Sequence, residues 1–130
     1  MRIFNKLSIL IIFGWVTISP ATIINFTCPL PSQIIFDPIN SQQYLAQAEV
    51  NILKPKNYPP FILQTVTEIS QAPPLQKVIY KRNQLDCYYG ENLDLNTVND
   101  MELAYCYFIH GAKTECAGDP MECELSCDVN

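Results

Sequence analysis

Side chains that could do chemistry are concentrated in the last third of this 130-residue chain. After residue 86 come five of its six cysteines, most of its carboxylates and its single histidine, His110. Carboxylates can act as acid–base pairs or bind cations, thiols can attack a substrate or bind a metal, and an imidazole can act as a base. The possibilities to weigh are therefore hydrolysis, metal binding and disulfide formation.

The cysteine spacing favours disulfides over a metal centre. The last four cysteines are separated as C-x9-C, C-x6-C and C-x3-C, whereas zinc sites use tighter pairs of ligands. Six cysteines can pair in many ways, and the sequence alone does not choose among them. A Cys28–Cys87 bridge would close a loop of about 60 residues. For the other four cysteines we prefer a nested arrangement, in which Cys106 pairs with Cys127 and Cys116 with Cys123. The six predicted disulfide cysteines are Cys28, Cys87, Cys106, Cys116, Cys123 and Cys127.

A catalytic centre is harder to find. If all six cysteines are oxidised, His110 has no thiol to activate, and no spacing selects two carboxylates across a cleft. Asp94 and Asn96, followed by Asp100 and Glu102, could supply oxygen ligands to calcium, but their spacing fails the EF-hand pattern. We predict no catalytic residue, no metal and no cofactor, and keep a small carboxylate-dependent hydrolase as the alternative.

Charge points to a binding function instead. The net charge of the chain is -5, which argues against nucleic acid as a partner, and the negative charge falls almost entirely after residue 82. We expect these carboxylates to form one compact surface that engages a cationic protein, beside tyrosines that face outward. The predicted binding residues are Glu115, Glu122, Glu124, Asp128, Tyr88 and Tyr107.

The N-terminus predicts export. Arg2 and Lys6 precede the apolar run Leu7–Ile18, and Ser19-Pro20-Ala21 supplies the small residues of a cleavage site. We expect residues 1–21 to be a signal peptide and residues 22–130 a single secreted or periplasmic domain without a stable membrane anchor. The alternative is an uncleaved anchor, which Pro20 would interrupt.

The elements that must position these residues are short, because ten prolines divide the chain. Alternation or β-branched residues predict strands at Gln33–Phe36, Gln43–Leu53 and Phe61–Ile69, although a helix from Ser41 would also fit the second segment. Residues 77–82 and 85–89 should form a hairpin around Asn83-Gln84.

The C-terminal part is more ambiguous. Glu91–Asp100 is polar and is predicted to be a loop, and Leu103–Ile109 is predicted to be a strand on its aromatic content, with a capped helix as the rival. Asp119 and Pro120 should start a helical turn that continues through Ser126. The fold class is mainly β: a small, disulfide-stabilised antiparallel sheet or sandwich with a short C-terminal helical turn.

Two segments, Leu85–Tyr89 and Ala104–Phe108, each place a cysteine among aromatic residues. We interpret them as neighbouring strands of the core. On such strands side chains alternate between the two faces, so one aromatic of each adjacent pair should point outward.

The N-terminal Cys28-Pro29, followed by Ile34, Phe61 and Leu85-x-Cys87-x-Tyr89, resembles a family of small secreted bacterial proteins of uncharacterised function. The resemblance covers residues 28–90 and leaves out the cysteine-rich tail. It implies export and a Cys28–Cys87 bridge, and it assigns no catalytic residue.

Overall fold

A computed structural model describes residues 22–97, 103–111 and 114–129, and the predicted signal peptide therefore lies outside the described residues. The described chain is built from strands, joined by short turns and two single turns of 3-10 helix, Pro31–Gln33 and Pro120–Cys123. The strands are β1 Thr22–Thr27, β2 Ile35–Pro38, β3 Tyr44–Glu49, β4 Asn51–Lys54, β5 Ile62–Thr67, β6 Leu75–Lys81, β7 Gln84–Tyr89, β8 Leu93–Thr97, β9 Leu103–Phe108, β10 Glu115–Ala117 and β11 Leu125–Val129.

These strands form two antiparallel sheets, so the mainly β fold predicted from the sequence is confirmed. One sheet has the order β4-β1-β11-β9, and the other has the order β10-β6-β7-β8-β5-β3-β2. The four-stranded sheet thus combines the beginning of the described chain with its end. All neighbours within each sheet run antiparallel.

The two sheets share one hydrophobic core. Phe26 and Leu125 of the four-stranded sheet are fully buried in the same cluster as Leu63, Val78 and Leu95 of the seven-stranded sheet. Alternation along each strand puts these side chains on an inner face and leaves polar residues on an outer face. Hydrophobic burial on this inner face is what holds two sheets of mostly short strands together.

A disulfide and a buried tyrosine tie the two sheets together near Cys28. Cys28, which follows β1, is bonded to Cys87 on β7, and both residues are fully buried. On the same strand, the hydroxyl of the buried Tyr89 donates a hydrogen bond to the carbonyl oxygen of Pro29. Burial also raises the pKa of Tyr89, which keeps this hydroxyl protonated as a donor.

The other disulfides join Cys106 to Cys127 and Cys116 to Cys123, so the preferred nested pairing is confirmed. Cys106 and Cys127 are direct neighbours on β9 and β11, and their Cα atoms are 4.1 Å apart. All six cysteines are thus oxidised in pairs, which is consistent with a protein that works outside the reducing cytoplasm. Across the residues that the structure describes, we find no helix that is both long enough and apolar enough to cross a membrane.

Most of the predicted strands are confirmed, with shifted ends. The segment Gln43–Leu53 forms β3 and β4, not a helix, and Leu103–Ile109 becomes β9. The hairpin is present, but its turn lies one residue earlier than predicted, at Arg82-Asn83. Both turn residues have positive φ angles, 54° and 62°, as a tight hairpin turn with the twist of its strands requires.

Three sequence interpretations are wrong. The segment Glu91–Asp100 is not a loop throughout, because Leu93 and Leu95 are buried and place β8 in the middle of the larger sheet. The helical turn at Asp119 ends at Cys123 instead of Ser126, since the next residues form β11 between β1 and β9. The two aromatic cysteine strands, β7 and β9, are not neighbours and belong to different sheets.

Candidate binding surfaces

The six predicted binding residues do not form the single acidic surface that we expected. Tyr88 and Glu115 lie on β7 and β10 of the seven-stranded sheet, whereas Tyr107 and Asp128 lie on β9 and β11 of the four-stranded sheet. Acidic residues that are close in sequence are therefore divided between two surfaces, because β10 and β11 join different sheets.

The outer face of the four-stranded sheet carries the most exposed aromatic residues. Tyr105 and Tyr107 alternate with Cys106 on β9, and their side chains are 74% and 58% exposed. Tyr107 is paired with Ser126 on β11, which is paired in turn with Asn25 on β1. Two pairs further along β11, Asp128 lies opposite Ile23, which is 57% exposed.

A second carboxylate extends this surface at the start of β11. Glu124 is two residues before Ser126, and one of its carboxylate oxygens accepts a 2.8 Å hydrogen bond from the side-chain amide of Asn25. The backbone N–H of Ile109 donates to the carbonyl of Glu124 at 3.0 Å, which continues the pairing of β9 with β11. We refer to Ile23, Tyr105, Tyr107, Glu124 and Asp128 together as the Tyr107 face.

The backbone beneath the Tyr107 face is held by the Cys106–Cys127 disulfide, which crosses directly from β9 to β11. Since side chains alternate, this bridge lies on the inner side while Tyr105, Tyr107 and Asp128 project outward. Lys54 lies at the far side of the sheet, where β4 pairs with Asn25. The strand next to the tyrosines, β11, follows Glu124 directly, carries Asp128 and has no cationic residue, so the tyrosine half of the face is acidic.

Tyr88 and Glu115 belong to a different cluster, joined by Lys77. The Lys77 ammonium lies 5.0 Å from the centre of the Tyr88 ring and 3.9 Å from a carboxylate oxygen of Glu115. Desolvation and the nearby carboxylates of Asp94, Asp86 and Glu115 raise the pKa of Tyr88. Lys77 already neutralises part of this charge, so this acidic cluster is less available to a basic partner.

The proximity of Asp86 and Asp94, which lie diagonally across the adjacent strands β7 and β8, was not predicted from the sequence, and we call these two residues the carboxyl pair. The two groups hydrogen bond each other, and burial, together with the charge of Asp86, raises the pKa of Asp94 to about 7. The Oδ1 atom of Asp94 is buried without a hydrogen-bond partner within the described residues. The alternation of Leu93 and Leu95 with Asp94 was the signal that could have placed Asp94 on a strand.

Glu122 lies in the turn of 3-10 helix at Pro120–Cys123 and faces the same cleft as Glu115. Its backbone N–H donates to the Asp119 carboxylate at 3.1 Å, so Asp119 caps this turn as predicted. A shallow cleft of about 490 Å³ beside it is lined by His110 and Glu115. Among the residues that the structure describes, no three His, Cys, Asp or Glu side chains are arranged to hold a metal ion.

Comparison with known proteins finds no family model, no curated protein and no solved structure that matches this chain. The resemblance to small secreted bacterial proteins therefore stays a prediction from the sequence.

Proposed function

We propose that this protein is an exported, non-enzymatic binding module or inhibitor that engages a cationic protein partner through the Tyr107 face. The observation that carries this proposal is the exposure of Tyr105, Tyr107 and Ile23, at 74%, 58% and 57%, on one sheet face that also bears two carboxylates. Contiguous exposed apolar and aromatic residues are typical of protein interaction sites.

The chemistry of the face supports a basic partner. A lysine or arginine side chain can lie over a tyrosine ring and reach a nearby carboxylate at the same time, and arginine does both especially well. The carboxylates of Glu124 and Asp128 would speed the encounter with such a partner more than they would set the final affinity. The disulfide beneath the face reduces the ordering that binding requires.

The test compares two pairs of charge changes of equal size. Glu124→Gln with Asp128→Asn removes the charges of the Tyr107 face, and Asp37→Asn with Glu49→Gln removes two exposed charges from β2 and β3 of the other sheet. Proteins retained from the extracellular milieu by the unmodified domain are identified, and association of each purified candidate is then measured at several salt concentrations.

We expect the Tyr107-face pair to slow association about tenfold and to flatten its dependence on salt, while the control pair leaves both unchanged. Tyr105→Ala with Tyr107→Ala should instead accelerate dissociation. Equal behaviour of the two charge pairs would show that these carboxylates serve only solubility and would contradict the proposal.

The carboxyl pair is the observation that favours the second candidate, a carboxylate-dependent hydrolase. Two aspartates that share a proton occur in aspartic proteases, where they act on a substrate held in a cleft. Here the pair lies on neighbouring strands of a sheet, and the cleft beside Glu122 lies elsewhere. Hydrolysis of an unfolded polypeptide at acidic pH that is lost on Asp94→Asn would favour this candidate over the binding module.

A further inference from the structure

The four edge strands of the two sheets differ in how they are protected against further pairing. An edge is usually blunted by shortness, charge or proline, because its free backbone groups can pair with another chain. β10 has three residues, β2 ends at Asp37-Pro38, and β4 has four residues and ends at Lys54, just before Pro55. β9 is different: its six residues, LAYCYF, include no charge, no proline and no glycine.

The pairing pattern shows which backbone groups of β9 face this open edge. The bond from the Ile109 N–H to the Glu124 carbonyl makes these two residues a hydrogen-bonded pair, so the pair Cys106–Cys127 is a non-hydrogen-bonded one. The Cα separation of 4.1 Å at that pair agrees with this assignment. The N–H and C=O groups of Cys106 and Phe108 therefore point away from β11, and no strand in the described part of the chain pairs with them.

A strand added at this edge would extend the Tyr107 face by one row. Its side chains on the outer side would lie beside Tyr105 and Tyr107, which attract cations through their rings, with Asp128 on the next strand. Its side chains on the inner side would lie beside Phe108, which is only 5% exposed, and should be apolar. Charge complementarity thus selects an extended segment with basic residues at alternate positions.

We propose that β9 is a strand-addition edge that binds an extended segment of a partner protein in which basic and apolar residues alternate. This inference rests on the proposed function, because it specifies how the Tyr107 face is engaged. Backbone hydrogen bonds to Cys106 and Phe108 would supply the register, and the tyrosines would select the basic residues, as in other cases of recognition by strand addition.

The experiment uses short capped peptides in which lysine and valine alternate, with binding to the full domain measured by fluorescence anisotropy. One derivative carries N-methyl groups on every lysine and another on every valine. In an extended strand these two sets of N–H groups point to opposite edges, so only one derivative should lose affinity, by about tenfold or more. A peptide that alternates glutamate and valine is the charge control and should bind weakly.

The possible outcomes separate this inference from the proposed function. Binding that depends on charge but is equally tolerant of both methylation patterns would overturn strand addition and leave the proposed function intact. In another outcome, only one methylation pattern weakens binding, and Glu124→Gln with Asp128→Asn has no effect on it. That result would support strand addition at β9 and contradict the role of the carboxylates in the proposed function.

Two further results would also overturn strand addition by a partner. One is no binding of the unmethylated peptide. The other is a dimer of this chain in sedimentation that becomes a monomer in the double variant Tyr105→Lys with Tyr107→Lys. The occupant of the β9 edge would then be a second copy of this chain.

Discussion

At the scale of single residues, the chemistry of this protein depends on which side chains the strands bring together. Asp86 and Asp94 are separated by a turn in the sequence, yet the pairing of β7 with β8 makes their carboxyl groups hydrogen bond. A carboxyl group that is buried, and that lies beside another carboxylate, keeps a proton that it would lose in water. The pair therefore couples the stability of the larger sheet to pH.

The sign of that coupling follows from the pKa of Asp94, which burial raises from 3.8 to about 7. Between these values the folded protein holds a proton that the unfolded chain releases, so the free energy of unfolding should fall as the pH rises from about 4 to about 7, and change little from this group above that range. Asp94→Asn should remove this slope and increase the free energy of unfolding at pH 8 by roughly 1 kcal/mol, a value reduced for partial exposure.

Urea denaturation at pH 4 and pH 8 checks this prediction. The control is Asp37→Asn, which changes an exposed carboxylate on β2. An Asp94→Asn variant that keeps the full pH dependence of the unmodified protein would rule out the carboxyl pair as its source.

At the scale of elements, the hydrophobic pattern was more informative than polarity. β3, β5, β6, β7 and β9 were predicted because their residues alternate or are rich in β-branched and aromatic types. β8 was missed because its aspartate and asparagine are typical of a loop, although Leu93 and Leu95 alternate with them. The first two residues of β11 were assigned to the helical turn because Asp119 and Pro120 do begin one, and only pairing with β1 and β9 ends it at Cys123.

The hairpin turn between β6 and β7 offers a prediction at this scale. Arg82 has a φ of 54°, a conformation that asparagine tolerates better than arginine and that a β-branched residue strongly disfavours. Arg82→Asn should stabilise the protein by about 0.5 kcal/mol, and Arg82→Val should destabilise it by about 1–2 kcal/mol.

Thermal unfolding of both variants checks the effect. The same two substitutions at Lys81, an exposed residue within β6, are the control and should show the opposite order, because valine suits a strand and asparagine does not. If the valine variant were more stable than the asparagine variant at position 82 as well, the turn would not require the left-handed conformation.

At the scale of the whole molecule, the three disulfides connect the chain over very different distances. Cys28–Cys87 spans 59 residues and joins the two sheets, whereas Cys116–Cys123 spans 7 residues near one sheet edge. On the chain-entropy model, replacing both cysteines by alanine should therefore cost about 4 kcal/mol at Cys28–Cys87 and about 2 kcal/mol at Cys116–Cys123. Urea denaturation of the two double variants measures both, and equal losses would mean that local packing, not loop closure, sets the contribution.

The sequence by itself determined the mainly β character, the disulfide framework and the acidity of the C-terminal third, because alternation, cysteine spacing and charge are local properties of the chain. Only the tertiary structure decided which of these residues meet. It divided the acidic residues between two sheets, placed Tyr107 and Asp128 on one sheet and Tyr88 beside Lys77 on the other, and brought Asp94 to Asp86. The physical reason is that strand order depends on burying apolar faces against one another across the whole chain, and β11 reaches its place between β1 and β9 only through contacts that no local pattern encodes.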